Sequence, residues 1–171
     1  IAVFPLKNEN GDDEIDYLAD GITEGLINKL SHIPDIKVIA RSSVFAYKGK
    51  EINIGQIKNE LSVDYILTGR VRVIGKEFSI GVELAETKGL TQIWGTTLNQ
   101  DFGGIIKMQE TIVNAICREL LPEFTVSTDV ANKPSTKDSE SFRLYLIGKH
   151  LLNKAEIETV KNAISYFRPK N

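Results

Sequence analysis

Arg41, Ser42 and Ser43 are the residues with the clearest capacity for binding chemistry. They follow an apolar stretch that predicts a strand, and they begin a stretch that predicts a short helix. Backbone N–H groups, two hydroxyls and a guanidinium at such a point can together receive an anion. A structural role is equally consistent with the residue types, because the serines can cap the helix while Arg41 pairs with an acidic neighbour. Tyr47 and Lys48 follow in the next loop, where they either line the same site or serve as ordinary loop residues.

Asp20 and Glu24 form the second candidate group. Their spacing places both carboxylates on one face of a predicted helix, and paired carboxylates can act as general acid and base. No histidine is near them in the sequence, so a solvated face or an interface contact is the favoured interpretation. They become companions of the Arg41 group if the helix brings them near it. Gly21 and Gly25 lower helix propensity here, which predicts close packing of this helix on the sheet or on another subunit.

The sequence lacks the residues that disulfides, metal sites and phosphate-binding loops require. Cys117 is the single cysteine, so an intramolecular disulfide and a thiolate metal cluster are both excluded, and its place on an apolar helix stripe predicts a buried thiol. The acidic segment 8–16 lacks the ligand spacing of a calcium loop, and no glycine spacing typical of a phosphate-binding loop occurs. We therefore expect no catalytic residue, no bound metal and no cofactor.

The first half of the chain predicts alternating strands and helices that position these residues. An apolar run at Ile1–Leu6 predicts a buried strand, and apolar residues at three- and four-residue steps from Ile15 to Ile33 predict an amphipathic helix that Pro34 ends. A second strand is predicted at Asp35–Arg41, then a short helical turn with Ser42 and Ser43 as N-caps that reaches Tyr47. Another short helix follows, with its apolar face on Ile54, Ile57 and Leu61.

The second half predicts a sheet meander and a long helix. The apolar period changes to two from Val63, with turns at residues 75–77 and 87–89 and a third strand at 92–98. A helix from Ile105 to about Leu121 must cover the sheet to bury its stripe. The residues predicted to be largely buried in the sheet are Val71, Val73, Phe78, Ile80, Val82 and Ile93. The fold class is therefore α/β, a mixed sheet in the order β-α-β-α-β-β-β-α covered by helices, with early parallel and later antiparallel pairing.

A polar segment at 125–138 predicts a linker between residues 1–124 and a helical tail at 139–171. The tail carries Gly148, Ala163 and Phe167 in a pattern that resembles a partial tetratricopeptide repeat, although its spacing is about three residues longer than the consensus.

The charge balance and hydropathy exclude two partner classes. Twenty-one basic residues against 23 acidic ones give a net charge of -2, so no direct nucleic-acid contact is expected. The apolar runs are shorter than the roughly 18 residues that a membrane span needs. Membrane attachment is expected only through a segment upstream of Ile1.

Three sequence blocks carry a family resemblance: Asp20–Glu24, Val38–Gly49 and Gly69–Val71. Together with the opening strand, they resemble the TolB N-terminal-like domain found beside tetratricopeptide repeats in bacterial regulators, over about residues 1–124. The family is united by architecture and shares no reaction. The regulator type is the better match, since the chain runs into the repeat-like tail and has no propeller repeats.

The resemblance implies a non-catalytic sensory or protein-interaction module of a multidomain signalling or transcription regulator. Its partner is expected to be a protein or a small ligand, and a homodimer is a further hypothesis. The expected location is the periplasm, as part of a membrane-anchored protein, with the cytoplasm as the alternative. The alternative function is a regulatory small-molecule-binding domain of a nucleotide cyclase or kinase-linked protein, or a small-molecule-binding enzyme that uses the Arg41 pocket.

Overall fold

The structure is a computed structural model that describes residues 1–11, 13–75, 77–121, 144, 145, 147 and 148. Its strands and helices follow one another in chain order as β1 (Ala2–Val3), β2 (Lys7–Asn8), α1 (Asp13–Ser31), α2 (Arg41–Phe45), α3 (Ile54–Leu61), β3 (Tyr65–Ile74), β4 (Glu77–Glu86), β5 (Thr91–Asp101), a 3-10 turn (Phe102–Gly104) and α4 (Ile105–Leu120).

The five strands form one mixed sheet with β3 near its centre. The strand order is β1-β3-β4-β5, and β2 also pairs with β3. β1 and β2 run parallel to β3, whereas β3, β4 and β5 form an antiparallel meander. The predicted mixed α/β sheet, parallel early and antiparallel later, is confirmed.

The core lies between one face of the sheet, here called the inner face, and helices α1 and α4. Alternate residues of β3 and β4 point into it, and Val71, Ile80 and Leu84 have no exposed surface. α1 and α4 pack on each other, and α4 also packs on β5. Burial of this apolar surface supplies most of the driving force for the fold.

Gly25 of α1 and Gln109 of α4 meet where the two helices contact each other. Gln109 is 4% exposed, and its Nε2 donates a hydrogen bond to the carbonyl oxygen of Ile22 at 3.3 Å. A Cβ added at Gly25 would lie 2.1 Å from that Nε2, so glycine leaves room for the buried amide. The close packing predicted at Gly25 is found, but its partner is helix α4 and not the sheet or another subunit as predicted.

The predicted first strand is divided at Pro5. Phe4 N–H still donates to Leu67 O at 2.9 Å, but proline has no N–H to continue the ladder. The chain pairs with β3 again at Lys7–Asn8, as the separate strand β2.

The predicted strand at Asp35–Arg41 is wrong. Asp35 has a left-handed backbone with φ of 68°, and residues 36–40 have no regular secondary structure. The segment still touches the sheet, because Ile1 N donates to Lys37 O at 2.7 Å and Ile39 N donates to Ile1 O at 2.9 Å. Because Arg41 starts α2 just after these bonds, the pairing does not continue along β1.

The predicted short helices α2 and α3 are confirmed, but the N-cap of α2 was predicted wrongly. Ala40 occupies the cap position and makes no side-chain capping bond, so Ser42 and Ser43 lie within the first helical turn. α3 is capped by Asn53, whose side-chain oxygen accepts a hydrogen bond from Gln56 N–H at 3.1 Å.

Burial in the meander agrees with the prediction except at one residue. Val71, Phe78, Ile80 and Val82 are buried and Val73 is half-buried, but Ile93 is 38% exposed. Trp94 pairs with Leu84 and Gln92 pairs with Ala85, so Ile93 is the extra residue of a β-bulge. A bulge leaves its extra residue without a cross-strand partner and changes which face the following side chains occupy.

The predicted linker and repeat-like tail lie almost entirely outside the described residues, so the domain division stays a prediction. None of the helices that the structure describes has both the length and the apolar character needed to cross a bilayer.

Candidate functional site

A cleft of about 940 Å³ lies on the outer face of the sheet, the face opposite α1 and α4. Its lining includes the loop that joins α2 to α3, residues 46–53, and outward-pointing residues of β3 and β4. Phe4, Ile66 and Ala85 form an apolar floor, and all three are largely buried. Charged side chains of both signs, Lys48 and Glu83 among them, line it as well. A concave surface with an apolar floor and a few polar groups is typical of a recognition site.

Tyr47 holds the 46–53 loop in place over the sheet. Its ring meets the ring of Phe4 edge-on, with centroids 5.5 Å apart and planes at 79°. Its hydroxyl donates a short hydrogen bond to the Glu60 carboxylate on α3, which also accepts from Gln56 Nε2 at 2.6 Å. Tyr47 thereby attaches the loop both to Phe4, which follows β1, and to α3.

The Tyr47–Glu60 bond shifts the acidity of both groups. The hydrogen bond to Glu60 raises the pKa of the Tyr47 phenol, since the bond is lost when the phenol ionises. The hydrogen bond from Tyr47, together with that from Gln56, lowers the pKa of the Glu60 carboxyl, because both donors favour its charged form. The pair is therefore a donor phenol and an acceptor carboxylate at neutral pH.

Arg41 is paired with Glu24. Its Nε lies 2.5 Å from Glu24 Oε1, and the Glu24 side chain is only 8% exposed. The guanidinium also lies over the Phe45 ring, 3.9 Å from the ring centroid. This geometry corresponds to the structural alternative for Arg41, in which it neutralises an acidic neighbour.

Lys48 binds the other carboxylate of the candidate pair. Its Nζ lies 2.7 and 2.8 Å from the two Asp20 carboxylate oxygens and 3.5 Å from Asp16 Oδ2. The expectation that Asp20 and Glu24 approach the Arg41 group is thus met in the geometry. Each carboxylate of the candidate pair thus receives one cation, and both contacts attach the segment 41–48 to α1.

Ser42 and Ser43 are exposed, and neither lines the cleft. Ser43 instead borders a smaller cavity of about 470 Å³ between α2 and α3, which Tyr47 also lines. Of the seven predicted site residues, Tyr47 and Lys48 therefore line the cleft. Three others take part in the ion pairs that attach the segment 41–48 to α1: Arg41, Asp20 and Glu24.

Metal-binding and nucleophilic groups can be located only within the described residues. There, no group of three or more His, Cys, Asp and Glu side chains could hold a metal ion. Cys117 is fully buried, as predicted, and burial raises the pKa of its thiol. A neutral buried thiol is a poor nucleophile.

Sequence reasoning missed the floor of the cleft and the anchor of its loop. Ile66 and Ala85 are opposite each other on β3 and β4, on the face that the alternating pattern predicts as polar. Their apolar character at polar positions was the available signal. Glu60 gave no such signal, because its contact with Tyr47 joins a loop to a helix 13 residues later.

A mixed sheet with helices on one face and a loop-bordered cleft on the other defines a two-layer α/β domain. Two solved structures share the fold. TolB from Acinetobacter baumannii matches with a TM-score of 0.53 at 14% identity, over 71% of this chain and 28% of that one. Lipoprotein GNA1162 from Neisseria meningitidis matches with a TM-score of 0.51 at 17% identity, over 70% of this chain and 96% of that one. The TolB-like architecture is therefore confirmed.

The sequence defines the family more narrowly. Residues 1–117 match the second domain of HilA/YgeH-like transcriptional regulators, and the chain belongs to this family. It is also similar to a protein of Rhizobium meliloti (strain 1021) named "Putative adenylate cyclase 3", at 34% identity over 145 residues. That match covers 84% of this chain, and the chain spans only 25% of the relative's length.

Proposed function

We propose that this domain is a non-catalytic sensory or protein-interaction module of a multidomain regulator, and that it recognises a small ligand or a protein segment through the outer-face cleft. The observation that carries the proposal is the cleft itself, which combines an apolar floor at Phe4, Ile66 and Ala85 with a bordering loop. Loops on a rigid sheet are favoured positions for recognition, since they vary without disturbing the core. Family membership supports a regulatory role for the whole protein.

The contacts of the predicted site residues support binding rather than catalysis. Arg41 pairs with Glu24, Lys48 pairs with Asp20, and Tyr47 bonds Glu60. A catalytic site requires a base or nucleophile aimed at a substrate, with a third group to orient it. These side chains instead hold the 46–53 loop and α2 against the rest of the domain, which gives the cleft a fixed wall.

The experiment fills the cleft without disturbing the core. Thr68 lies on the outer face of β3 and lines the cleft, whereas Arg72 lies on the same strand and face, four residues further on, outside it. Thr68→Trp should fill the cleft, and Arg72→Trp is the matched control. Each variant replaces the wild-type residue in the full-length regulator, and the transcriptome is compared with that of a deletion strain.

The proposal predicts that Thr68→Trp reproduces a large part of the deletion transcriptome or locks the regulator in one state, while Arg72→Trp resembles the wild type. Thermal melts of both proteins verify that folding is unchanged. If both variants regulate like the wild type and both are folded, the cleft is not the recognition site.

The relative named as a cyclase favours a second candidate function, in which the same cleft regulates nucleotide cyclase activity elsewhere in a longer chain. The same two variants separate the candidates when cyclic nucleotide levels and transcripts are both measured, in a host that lacks every other nucleotide cyclase. A changed cyclic nucleotide level with an unchanged transcriptome would favour the cyclase pathway.

Two further parts of the proposal concern location and nucleic acid. We place the domain in the periplasm as part of a membrane-anchored protein, with the cytoplasm as the alternative. Alkaline phosphatase fused after Asn171 is active only if this end of the chain is exported, so an inactive, stable fusion would favour the cytoplasm. The net charge of -2 supports the absence of direct nucleic-acid binding by this domain.

A further inference from the structure

β5 is a long strand at the edge of the sheet. It runs for 11 residues, Thr91–Asp101, and within the described part of the chain it pairs with β4 alone. An edge strand of this length presents a row of backbone N–H and C=O groups that can pair with another strand.

The sequence of β5 offers little protection against such pairing. Natural edge strands are commonly blunted by lysine, proline, charged residues or bulges. The segment from Thr91 to Gln100 contains no charged residue and no proline. The one protective device is the bulge at Ile93, which leaves the regular stretch from Trp94 onward accessible.

The same stretch carries apolar surface that the single chain covers only in part. Trp94 and Leu98 point toward the inner face and pack against the core, yet both remain partly exposed. A strand added beside β5 would place its own inward side chains next to these two residues. Cross-strand contacts of aromatic with aliphatic side chains stabilise a pair of strands.

We propose that the β5 edge pairs antiparallel with β5 of a second copy of this chain, which joins the two sheets across a two-fold axis. Self-pairing is compatible with the residue types, because a two-fold axis near Thr96 or Thr97 brings neutral residues opposite neutral residues and inward apolar residues beside one another. A two-fold interface must be complementary to itself, and this strand meets that condition without any like-charge contact. The proposal does not rest on the cleft, although Gln92 at the start of β5 also lines the cleft.

The test introduces opposite charges into β5. Thr97 and Asn99 are exposed on the outer face. With the axis at Thr97 they lie opposite residues 97 and 95 of the partner strand, and with the axis at Thr96 they lie opposite residues 95 and 93, so the two copies of residue 97 are close in both registers. Thr97→Lys/Asn99→Lys and Thr97→Glu/Asn99→Glu should each oppose self-pairing by like-charge repulsion, whereas a mixture of the two should pair lysine with glutamate. Arg72→Glu is the control, since it changes the net charge as much as the double glutamate variant does and lies away from the edge.

Sedimentation equilibrium of the 171-residue chain, from low micromolar to near-millimolar concentration, gives the readout. We expect a concentration-dependent dimer for the wild type and for Arg72→Glu, at least roughly tenfold weaker association for each double variant alone, and recovery of a dimer in the equimolar mixture. Thermal melts verify that each variant is folded.

Three results would overturn the proposal. The wild type could remain a monomer at every concentration, as it would if the edge were covered by the chain beyond Leu121. The double variants could dimerise as well as the wild type, which would place the interface elsewhere. Folded variants could fail to associate when mixed, which would exclude antiparallel charge complementarity at β5.

Discussion

The two faces of the sheet are held by different kinds of contact. On the inner face, α1 and α4 bury the apolar side chains that alternate along β3 and β4. On the outer face, ion pairs and one phenol–carboxylate hydrogen bond hold the 46–53 loop over the cleft. The inner contacts are numerous and nondirectional, so their summed contribution to the free energy of unfolding is large and a cavity among them is costly. The outer contacts are few and directional, and most lie partly in solvent, so each contributes little to the free energy of unfolding.

This difference separates the parts of the domain that maintain the fold from those that can respond to a partner. Loss of one inner side chain affects the whole core, while loss of one outer contact releases only a loop or a short helix. Regions of low local stability are the ones that change on binding. The cleft lies on the less stable side, and we expect a ligand to act first on the few contacts that fix the 46–53 loop.

The largest expected effect comes from truncation on the inner face. Ile80 has no exposed surface, so Ile80→Ala should lower the free energy of unfolding by about 2 to 5 kcal/mol through lost burial and a residual cavity. Ile93→Ala, on the neighbouring strand at a residue that is 38% exposed, is the matched control and should cost less than about 0.5 kcal/mol. Urea denaturation measures both. Equal losses at the two isoleucines would contradict the division into two faces.

An intermediate effect is expected at Arg41. Arg41→Ala removes the cation beside the largely buried Glu24 carboxylate and should cost about 1 to 2 kcal/mol, since a buried acceptor then loses a charged donor. Arg72→Ala, at an exposed position on β3, is the control. An unchanged melting temperature for Arg41→Ala would contradict the structural role and would favour the anion-binding hypothesis for Arg41 instead.

A smaller effect, with a defined pH dependence, is expected at Tyr47. Tyr47→Phe removes the hydrogen bond that lowers the pKa of Glu60. A carboxyl whose pKa is lowered by folding stabilises the fold at pH values above its unfolded-state pKa of about 4.3. That stabilisation is lost as the pH falls through the folded-state pKa. The raised pKa of Tyr47 works in the opposite sense: its contribution is present below the unfolded value of about 10 and is lost as pH rises through the folded one.

The difference in melting temperature between wild type and Tyr47→Phe should therefore be constant near neutral pH and shrink toward both extremes. Glu60→Gln is the control, because it should remove the acidic limb of this dependence. A difference that persists unchanged down to strongly acidic pH would show that Tyr47 contributes through its ring contact with Phe4 alone.

The smallest effect is expected from removal of the tail. Deletion of every residue after Asp138 should leave the melting temperature of the domain nearly unchanged, because the polar segment 125–138 predicts few contacts with the core. Circular dichroism of the truncated and whole chains measures this. An unfolded truncated chain would show that the tail belongs to the core of the first domain.

The inner face could be predicted from the sequence because its signal is periodic. Phe78, Ile80, Val82 and Leu84 alternate along one strand, and all are buried. The exceptions have local causes that a hydropathy pattern does not contain: Pro5 divides the first strand, and the bulge at Ile93 changes the facing of its neighbours.

For the candidate site, the sequence could predict which residues take part but not how they pair. Arg41 and Lys48 belonged to one candidate group and Asp20 and Glu24 to a second, which was expected to join the first if the helix lay close to it. The structure brings the two groups together as two ion pairs. Which cation meets which carboxylate depends on how α1 lies against residues 41–48, and that placement is set by packing. The cleft was missed because its floor joins β1's flank, β3 and β4, which are far apart in the sequence.

The buried amide of Gln109 also bears on the order in which the chain folds. Its bond to Ile22 joins residues 87 positions apart, and the part of α1 that packs on α4 is covered only when α4 is present. At a synthesis rate of about 5 to 20 residues per second, α1 leaves the ribosome roughly five to twenty seconds before α4 does. During that interval α1 can pack on β1, β2 and β3 but not on α4, so we expect the nascent chain to be prone to aggregation through this one surface until α4 emerges.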